Sequence, residues 1–187
     1  MIALPPLTGV ERFLGEQELI VSKTDRRGLL TYCNDVFRRI SGFTDDELIG
    51  RPHSLVRHPE MPRTVFHLLW ETIESGREIF AYVVNRSKNG DHYWVLAHVT
   101  PTFDRNGTII GFHSNRRCPD RSAIEKIRPL YAQLRDAEQR AGSKEEALRA
   151  GRALLAKTLA ELQMEFDAFS FSLVEPDREP AIAGERR

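Results

Sequence analysis

Two side chains in the middle of the sequence have the chemistry to hold a flat, polar ligand. Trp70 follows Phe66 by four positions on a helical repeat, and its indole can stack on an aromatic ring or simply fill the core. Asn85 comes directly after Val83 and Val84 in a strand-like segment. A buried amide left without partners costs about 1–3 kcal/mol. Asn85 therefore either satisfies backbone groups or presents its donor and acceptor to the edge of a ligand.

Basic groups stand nearby in the sequence. Arg57 and His58 precede Pro59, which predicts an extended or turn segment. An arginine there suits a phosphate group, which it binds through forked, charge-assisted hydrogen bonds, although most arginines simply lie on the surface. His53 and His58 are either polar core residues or groups whose titration near neutrality couples to proton uptake by a ligand.

The composition excludes several classes of protein. The 187 residues include 27 basic and 27 acidic ones, whereas a nucleic-acid binder shows a basic excess, so we expect no nucleic-acid partner. No apolar run approaches about 18 residues and no secretory leader is present, which predicts a cytoplasmic protein without membrane insertion. Cys33 and Cys118 fit neither a metal site nor a disulfide framework. No phosphate-binding glycine loop and no paired nucleophile and base occur, so we expect no enzyme.

Four regions are predicted along the chain. Residues 1–17 form a lead-in with a short helical stretch near Val10–Leu14, residues 18–118 a mixed domain, residues 119–175 C-terminal helices, and residues 176–187 a disordered tail. In the mixed domain two strands come first, short helices and one longer helix follow, and a three-stranded meander comes last. This order predicts an α+β fold in which helices cover one face of an antiparallel sheet and leave a ligand pocket between them.

Turn and cap residues define the boundaries of these elements. Asn34 can cap a short helix over Asp35–Ile40, and Pro62 can open the longer helix. Asn89-Gly90 and Asn106-Gly107 are strong hairpin turns. The meander strands predicted around these turns are Ile79–Arg86, His92–Phe103 and Thr108–Arg116.

The C-terminal region carries an apolar repeat. Pro129 predicts a kink or a new helical segment, and Ser143 with Glu146 forms the sequence pattern of a capping box. The apolar repeat alternates steps of four and three residues, as in a short coiled-coil seam, which predicts a homodimer or partner interface. The same repeat also suits a helix packed back on its own sheet. Its members are Leu155, Leu159, Leu162, Phe166, Phe169 and Leu173.

Two long stretches of the domain resemble a known family. LVRHPEMPRTVFHLLW at residues 55–70 and VNRSKNGDHYWVLAHVTP at residues 84–101, with YCNDVFRRISGFTDDELIGRPHSLVRHP before them, are similar to the PAS domain of the bacterial aerotaxis receptors. The similarity covers about residues 18–117. It implies a PAS fold with a five-stranded antiparallel sheet, FAD as the ligand, and redox or oxygen sensing in aerotaxis or energy taxis. The pocket positions that it implies are His53, Arg57, His58, Trp70, Asn85, Tyr93 and Asn34.

The resemblance is incomplete, and two other functions stay open. Many relatives carry a second tryptophan where this chain has Ile79-Phe80. The 187 residues include no counterpart of the membrane anchor and signalling helix of those receptors, so we expect the chain either to be a fragment or to act through a chemoreceptor or another signalling protein. A cysteine adduct with flavin is excluded, because no cysteine lies between Asn34 and Arg117. The alternatives are a haem-binding gas sensor, although His67 leans towards the polar side of its helix, and a ligand-free interaction module.

Overall fold

The computed structural model describes residues 4–174, and the predicted tail at residues 176–187 lies outside them. The strands are β1 (Leu19–Asp25), β2 (Leu30–Cys33), β3 (Ile79–Arg86), β4 (His92–Phe103) and β5 (Ile109–Arg117). They form one sheet in the order β2-β1-β5-β4-β3, and every neighbouring pair is antiparallel. The predicted α+β fold with a five-stranded antiparallel sheet is therefore confirmed.

Short helices fill the stretch between β2 and β3. They are α1 (Asp35–Ser41), α2 (Asp45–Leu48), a 3-10 turn (His53–Val56) and α3 (Arg63–Glu74). Pro62 directly precedes α3, as predicted, because a missing amide hydrogen does no harm at a helix start. Gly90 and Gly107 adopt φ values of 95° and 78°, the left-handed region that glycine enters without strain. Both predicted Asn-Gly turns are confirmed.

The two faces of the sheet carry different side chains, because successive residues of a strand point to opposite sides. On β4, Ala97 points to the side covered by α3, which we call the inner face. Trp94 points to the opposite, outer face, where its ring centroid lies 6.4 Å from that of Tyr131. Tyr131 belongs to α4 (Arg121–Gln139), which packs on the outer face. α4 includes Pro129, so no new helical segment begins at that residue.

After α4 the chain returns towards α3. α5 (Lys144–Leu162) begins after Ser143, whose side chain accepts a hydrogen bond from the amide of Glu146, as the predicted cap requires. Gly151 of α5 packs so closely against α3 that a Cβ atom there would lie 1.9 Å from the hydroxyl oxygen of Thr64. The C-terminal helices therefore extend from the outer face of the sheet to the side of α3.

The prediction of one continuous coiled-coil seam is wrong. α5 ends at Leu162, and Gln163 adopts a left-handed conformation with φ of 54°. A separate helix, α6 (Phe166–Ser172), carries most of the second half of the repeat, and the three apolar residues of that half are buried in the chain's own core. The spacing indicated correctly that Leu155, Phe166, Phe169 and Leu173 are buried, whereas Leu162 is 46% exposed. It could not distinguish a partner helix from the chain's own sheet, and the structure favours the second alternative.

α6 lies along β3, the strand at one edge of the sheet. The amide of Phe80 donates a hydrogen bond to Oδ1 of Asp167 at 2.8 Å, and the hydroxyl of Ser170 donates to the carbonyl of Phe80 at 3.2 Å. The ring of Phe80 also packs on Phe171, with centroids 4.7 Å apart. The end of the described chain thus satisfies backbone groups that an edge strand otherwise exposes.

The lead-in is extended, so the helical stretch predicted near Val10–Leu14 is wrong. Its backbone pairs with the turn between β3 and β4, where the amide of Arg12 donates to the carbonyl of His92 at 2.7 Å. Asp91 secures this contact, because its carboxylate accepts hydrogen bonds from the side chains of Thr8 and Arg12. Backbone pairing with the sheet outweighs the local helical preference.

Candidate ligand-binding cavity

A cavity of about 1210 Å³ lies between the inner face of the sheet and α3. Small-molecule sites usually measure about 300–1,000 Å³, so this cavity has room for a ligand as large as a dinucleotide. Four of the predicted site residues, His53, Arg57, Trp70 and Asn85, line it. Residues of α4, α5 and the turn between them, within positions 135–148, complete the wall.

The buried part of this wall carries polar groups without partners. Asn85 Nδ2, Ser114 Oγ and Arg116 Nη1 have no hydrogen-bond partner among the described residues, and all three side chains line the cavity. The three residues are at most 8% exposed. Because an unpaired buried polar atom costs about 1–3 kcal/mol, these three atoms need partners that either water or a polar ligand in the cavity can supply.

Arg116 is a buried cation that pairs with neutral groups. Through Nη2 it donates to Ser22 Oγ at 2.7 Å and to Nε2 of His53, and its guanidinium carbon lies 5.1 Å from the ring centroid of Phe37. Burial lowers the pKa of Arg116 to about 10, which leaves it charged at neutral pH. Burial and then the charge of Arg116 lower the pKa of His53 well below its usual value. His53 is therefore neutral and can accept the hydrogen bond.

Trp70 and Phe112 form an aromatic corner of the cavity. Their ring centroids are 5.4 Å apart and their planes are nearly perpendicular, at 87°, which is the favourable edge-to-face arrangement. Gly28 lies against the indole. A Cβ atom there would lie 3.0 Å from Trp70 Cη2, and the φ of Gly28 is +75°. Glycine thus lets the turn after β1 approach the ring closely, and Trp70 stays half-buried, as a wall residue should.

The cavity wall is strongly basic. Because the chain as a whole is neutral, this excess of positive charge is local, and it favours an anionic ligand. No ion pair of these basic side chains is found in the described part of the chain. The basic residues are Arg27, Arg57, Arg63, Arg116, Arg135 and Lys144, and Glu138 is the one carboxylate in the described wall.

Arg57 joins the aromatic and the basic parts of the wall. Its guanidinium carbon lies 4.2 Å from the ring centroid of Phe66 on α3, and its backbone forms a bridge with Asn85 at the edge of β3. Burial and then the charge of Arg63 lower the pKa of Arg57, whereas Glu138 acts in the opposite direction. Arg57 therefore lies in a site with more positive than negative charge.

Asn34 lies outside the cavity wall. Its Oδ1 accepts hydrogen bonds from the amides of Val21 and Phe37, and its Nδ2 donates to the carbonyl of Leu19. Both ends of the amide are therefore used by the backbone. The cap predicted for α1 is confirmed, and the ligand contact that the resemblance implies for Asn34 stays a prediction.

Tyr93 and His58 are buried and do not line the cavity. Tyr93 lies opposite Asn85 on β4 and is fully buried on the inner face, where its hydroxyl has no hydrogen-bond partner among the described residues. His58 packs beside His92, with ring centroids 5.6 Å apart, and its Nδ1 accepts from the amide of Glu60 at 3.2 Å. Burial lowers the pKa of His58.

Sequence reasoning missed Arg116 and Ser114. A signal was present, because Phe112, Ser114 and Arg116 alternate along β5. An arginine with the same strand parity as an inward-facing aromatic ring must be buried or must reach a ligand. The part of the wall that α4 and α5 contribute had no comparable signal, since no local pattern shows that these helices return to α3.

Comparisons with known proteins define the class of this domain. Residues 30–116 match the family model described as PAS fold, and the chain therefore contains a PAS domain. Over 134 residues it is 40% identical to the aerotaxis receptor of Escherichia coli (strain K12). That alignment covers 72% of this chain and 26% of the receptor, so the chain spans about a quarter of the length of this relative. The predicted resemblance is confirmed.

Solved structures agree on the fold. The dark structure of the LOV domain of the blue-light photoreceptor Aureochrome1 matches with a TM-score of 0.53 at 19% identity, covering 64% of this chain and 86% of that one. A structure described as a flavin analogue shedding light on the light-oxygen-voltage domain mechanism gives a TM-score of 0.52 at 16% identity, covering 66% and 87%. Within residues 4–174, no helix combines the length and the apolar character needed to cross a membrane.

Proposed function

We propose that the cavity binds a flavin nucleotide, FAD, and that the domain reports redox or oxygen status to a signalling partner. The observation that carries the proposal is the set of unpaired polar groups on Asn85, Ser114 and Arg116 inside a basic wall. A flavin nucleotide brings a flat ring with a polar edge and an anionic phosphate group, which match both features. The identity with the aerotaxis receptor supports the proposal, as does the fold shared with a protein whose description names a flavin analogue.

The wall residues have separate roles in this proposal. The indole of Trp70 lies against the ring, the Nδ2 of Asn85 donates to its polar edge, and the charged guanidinium of Arg116 favours negative charge on the ligand. His53 stays neutral beside Arg116 and leaves that charge uncompensated. Arg57 binds phosphate. When bound, the flavin supplies reversible electron transfer, and the protein holds and tunes it.

The route from the cavity to the output runs through the sheet. Asn85 on β3 lies opposite Tyr93 on β4, β4 pairs with β5, and α4 begins four residues after β5 ends. A change in the hydrogen bonding of Asn85 on reduction would alter this path by a modest coupling, about 1–3 kcal/mol. Hydrogen exchange of residues 108–174, compared between oxidised and dithionite-reduced protein, tests this route, and identical protection in both states would contradict it.

The two alternatives have less support. His67 lies in the cavity wall, and its 3.3 Å contacts with Glu71 and Arg152 are both made by Nδ1, so they do not occupy Nε2. None of the comparisons, however, favours haem. A ligand-free module would have only water to pair with the three buried polar groups, and it would give no role to the basic wall of the cavity. No cysteine lies between Asn34 and Arg117, so light sensing through a cysteine adduct is not proposed.

Release of the ligand by heat tests the proposal directly. Purified protein supplemented with FAD should show flavin absorption bands. After heat denaturation it should release a yellow compound that chromatographs as FAD and not as FMN. A Soret band would favour haem, and a colourless protein after supplementation would overturn the flavin assignment.

We also propose a cytoplasmic location, a homodimer, and a chemoreceptor or another signalling protein as partner. The apolar repeat of α5 and α6 largely serves the chain's own core, so a partner would contact what remains exposed. Leu162, Met164 and Phe171 are 40–49% exposed around the turn between α5 and α6. Light scattering of the wild type and of Phe171→Ser tests this surface, and an unchanged dimer in the variant would move the interface elsewhere.

A further inference from the structure

The cavity is closed by two parts of the chain that are far apart in the sequence. The PAS core contributes the inner face of the sheet and α3, whereas α4, α5 and the turn between them contribute the opposite wall. Arg135 lies in the last turns of α4, and Lys144 opens α5. A ligand in this cavity therefore touches the C-terminal helices as well as the core.

Basic side chains from the two parts face the same space. Arg57 and Arg63 come from the core side, and Arg135 and Lys144 come from the helices. Arg57 is half-buried, and Arg63 is close enough to lower its pKa. The Nε atom of Arg135 is buried without a hydrogen-bond partner in the described part of the chain. The guanidinium of Arg135 therefore has a buried donor available for a ligand.

Glu138 offsets only part of the charge of this cluster, because it is a single carboxylate and its two oxygens accept hydrogen bonds from α3. Its Oε2 accepts from the amide of Arg63 at 3.0 Å, and its Oε1 accepts from the amide and the hydroxyl of Thr64, both at 2.8 Å. Pro62 at the start of α3 gives no side-chain cap, and Glu138 satisfies these amides in its place. One carboxylate committed to a helix N-terminus faces four basic groups.

We propose that Arg135 and Lys144 bind the phosphate groups of the ligand together with Arg57 and Arg63, so that the C-terminal helices form half of a phosphate subsite. The inference rests on the proposed function for the identity of the ligand, since a flavin nucleotide brings both a ring and phosphates. Trp70 and Asn85 hold the ring end, and the four basic groups hold the anionic end. The bound phosphates then hold α4 and α5 against the PAS core. How strongly they do so depends on how far the ligand extends beyond its ring.

Matched variants distinguish phosphate binding at this subsite from a general effect of positive charge on ligand affinity. Arg135→Gln and Lys144→Gln remove the two helix charges, and the controls Arg140→Gln and Arg149→Gln remove exposed charges on the same two helices, outside the cavity wall. Each protein is titrated with FAD and with riboflavin, which shares the ring but has no phosphate. The Arg135→Gln/Lys144→Gln double variant should bind FAD about 10-fold or more weakly, because both helix charges that pair with the phosphates are lost. Its riboflavin affinity should equal that of the wild type.

The controls should bind both ligands like the wild type, and circular dichroism should show that all variants are folded. Unchanged FAD affinity in the double variant would overturn the subsite. An equal loss of FAD and riboflavin binding would also overturn it, because the effect would then be structural. If the wild type binds no flavin, titration with inorganic pyrophosphate decides: binding that depends on Arg135 and Lys144 supports the subsite without the flavin, and no binding ends both proposals.

Discussion

The inner and outer faces of the sheet differ in whether their polar groups have hydrogen-bond partners within the described chain. On the outer face Trp94 stacks on Tyr131, and the hydroxyl of Tyr131 donates to the carbonyl of Tyr82 at 2.6 Å. On the inner face Asn85 and Arg116 have donors without partners among residues 4–174, beside a large cavity. The same strands therefore stabilise the fold on one side and leave binding capacity on the other. Substitutions on the two faces should separate stability from ligand binding.

The outer face should give the largest loss of stability. Trp94 is 5% exposed, so Trp94→Ala should lower the free energy of unfolding by about 3–5 kcal/mol, as for other buried aromatic residues cut back to alanine. Urea denaturation of the ligand-free protein measures this change. The folded fraction should keep wild-type affinity for FAD, and a loss of stability below about 1 kcal/mol would show that packing on this face matters little.

The second tryptophan should behave in the opposite way. Trp70 is half-buried in the cavity wall, so Trp70→Ala should weaken FAD binding by about 10–100-fold through lost stacking and burial. Its loss of stability should be clearly smaller than that of Trp94→Ala. Flavin fluorescence titration gives the affinity, and wild-type FAD affinity in this variant would remove Trp70 from the site.

Arg116→Met should stabilise the empty protein while it weakens ligand binding. Removing a buried charge that has no carboxylate partner in the described part of the chain should raise the free energy of unfolding by about 1–2 kcal/mol. The Ser22 hydroxyl and His53 Nε2 already lie 3.4 Å apart and can pair with each other once the arginine is gone. The urea midpoint of the ligand-free variant should rise and its FAD affinity should fall. If both quantities fell, Arg116 would be a structural residue.

Acid should destabilise the protein in two steps that belong to different regions. Burial lowers the pKa of His53, so the unfolded chain takes up a proton below about pH 6.5 that the folded chain refuses, and stability falls there. Hydrogen bonds from Thr8, Asn89 and Arg12 lower the pKa of Asp91 to about 2. Its contribution is complete above the unfolded pKa of about 3.9 and is lost as the pH falls towards 2.

Melting temperatures between pH 7.5 and pH 2.5 measure both steps. His53→Gln should make the step near pH 6 smaller, with the remainder due to His58, whose pKa burial also lowers, and it should leave the acid limb unchanged. Asp91→Asn should flatten the limb below about pH 4 and leave the higher step in place. If either variant removed both steps, the titration of His53 and that of Asp91 would not be independent.

Local signals were enough to predict the elements of the PAS core. The turns Asn89-Gly90 and Asn106-Gly107 and the cap at Asn34 determine backbone geometry within a few residues, and the structure agrees. Local signals gave a wrong prediction for the lead-in, because its pairing with His92 is a contact between residues about 80 positions apart in the sequence.

The site was only partly predictable for the same reason. Trp70 and Asn85 stand out because their types are unusual for their surroundings, and both line the cavity. Arg116 could have been found from strand parity on β5. The contribution of Arg135 and Lys144 depends on how α4 and α5 return to the core, which is set by contacts such as that between Gly151 and Thr64. Periodicity identifies buried positions and does not identify the surface that buries them.

Because α6 covers the edge strand β3, the position of the junction matters when this PAS domain is fused to another protein. A chimeric sensor joined directly after Leu162 would lose Asp167 and Ser170, and the outward-pointing backbone of Phe80 would become an open edge. Open edges invite pairing between molecules, so that chimera should aggregate even though its PAS fold is intact. A junction placed beyond Leu173 keeps the edge closed.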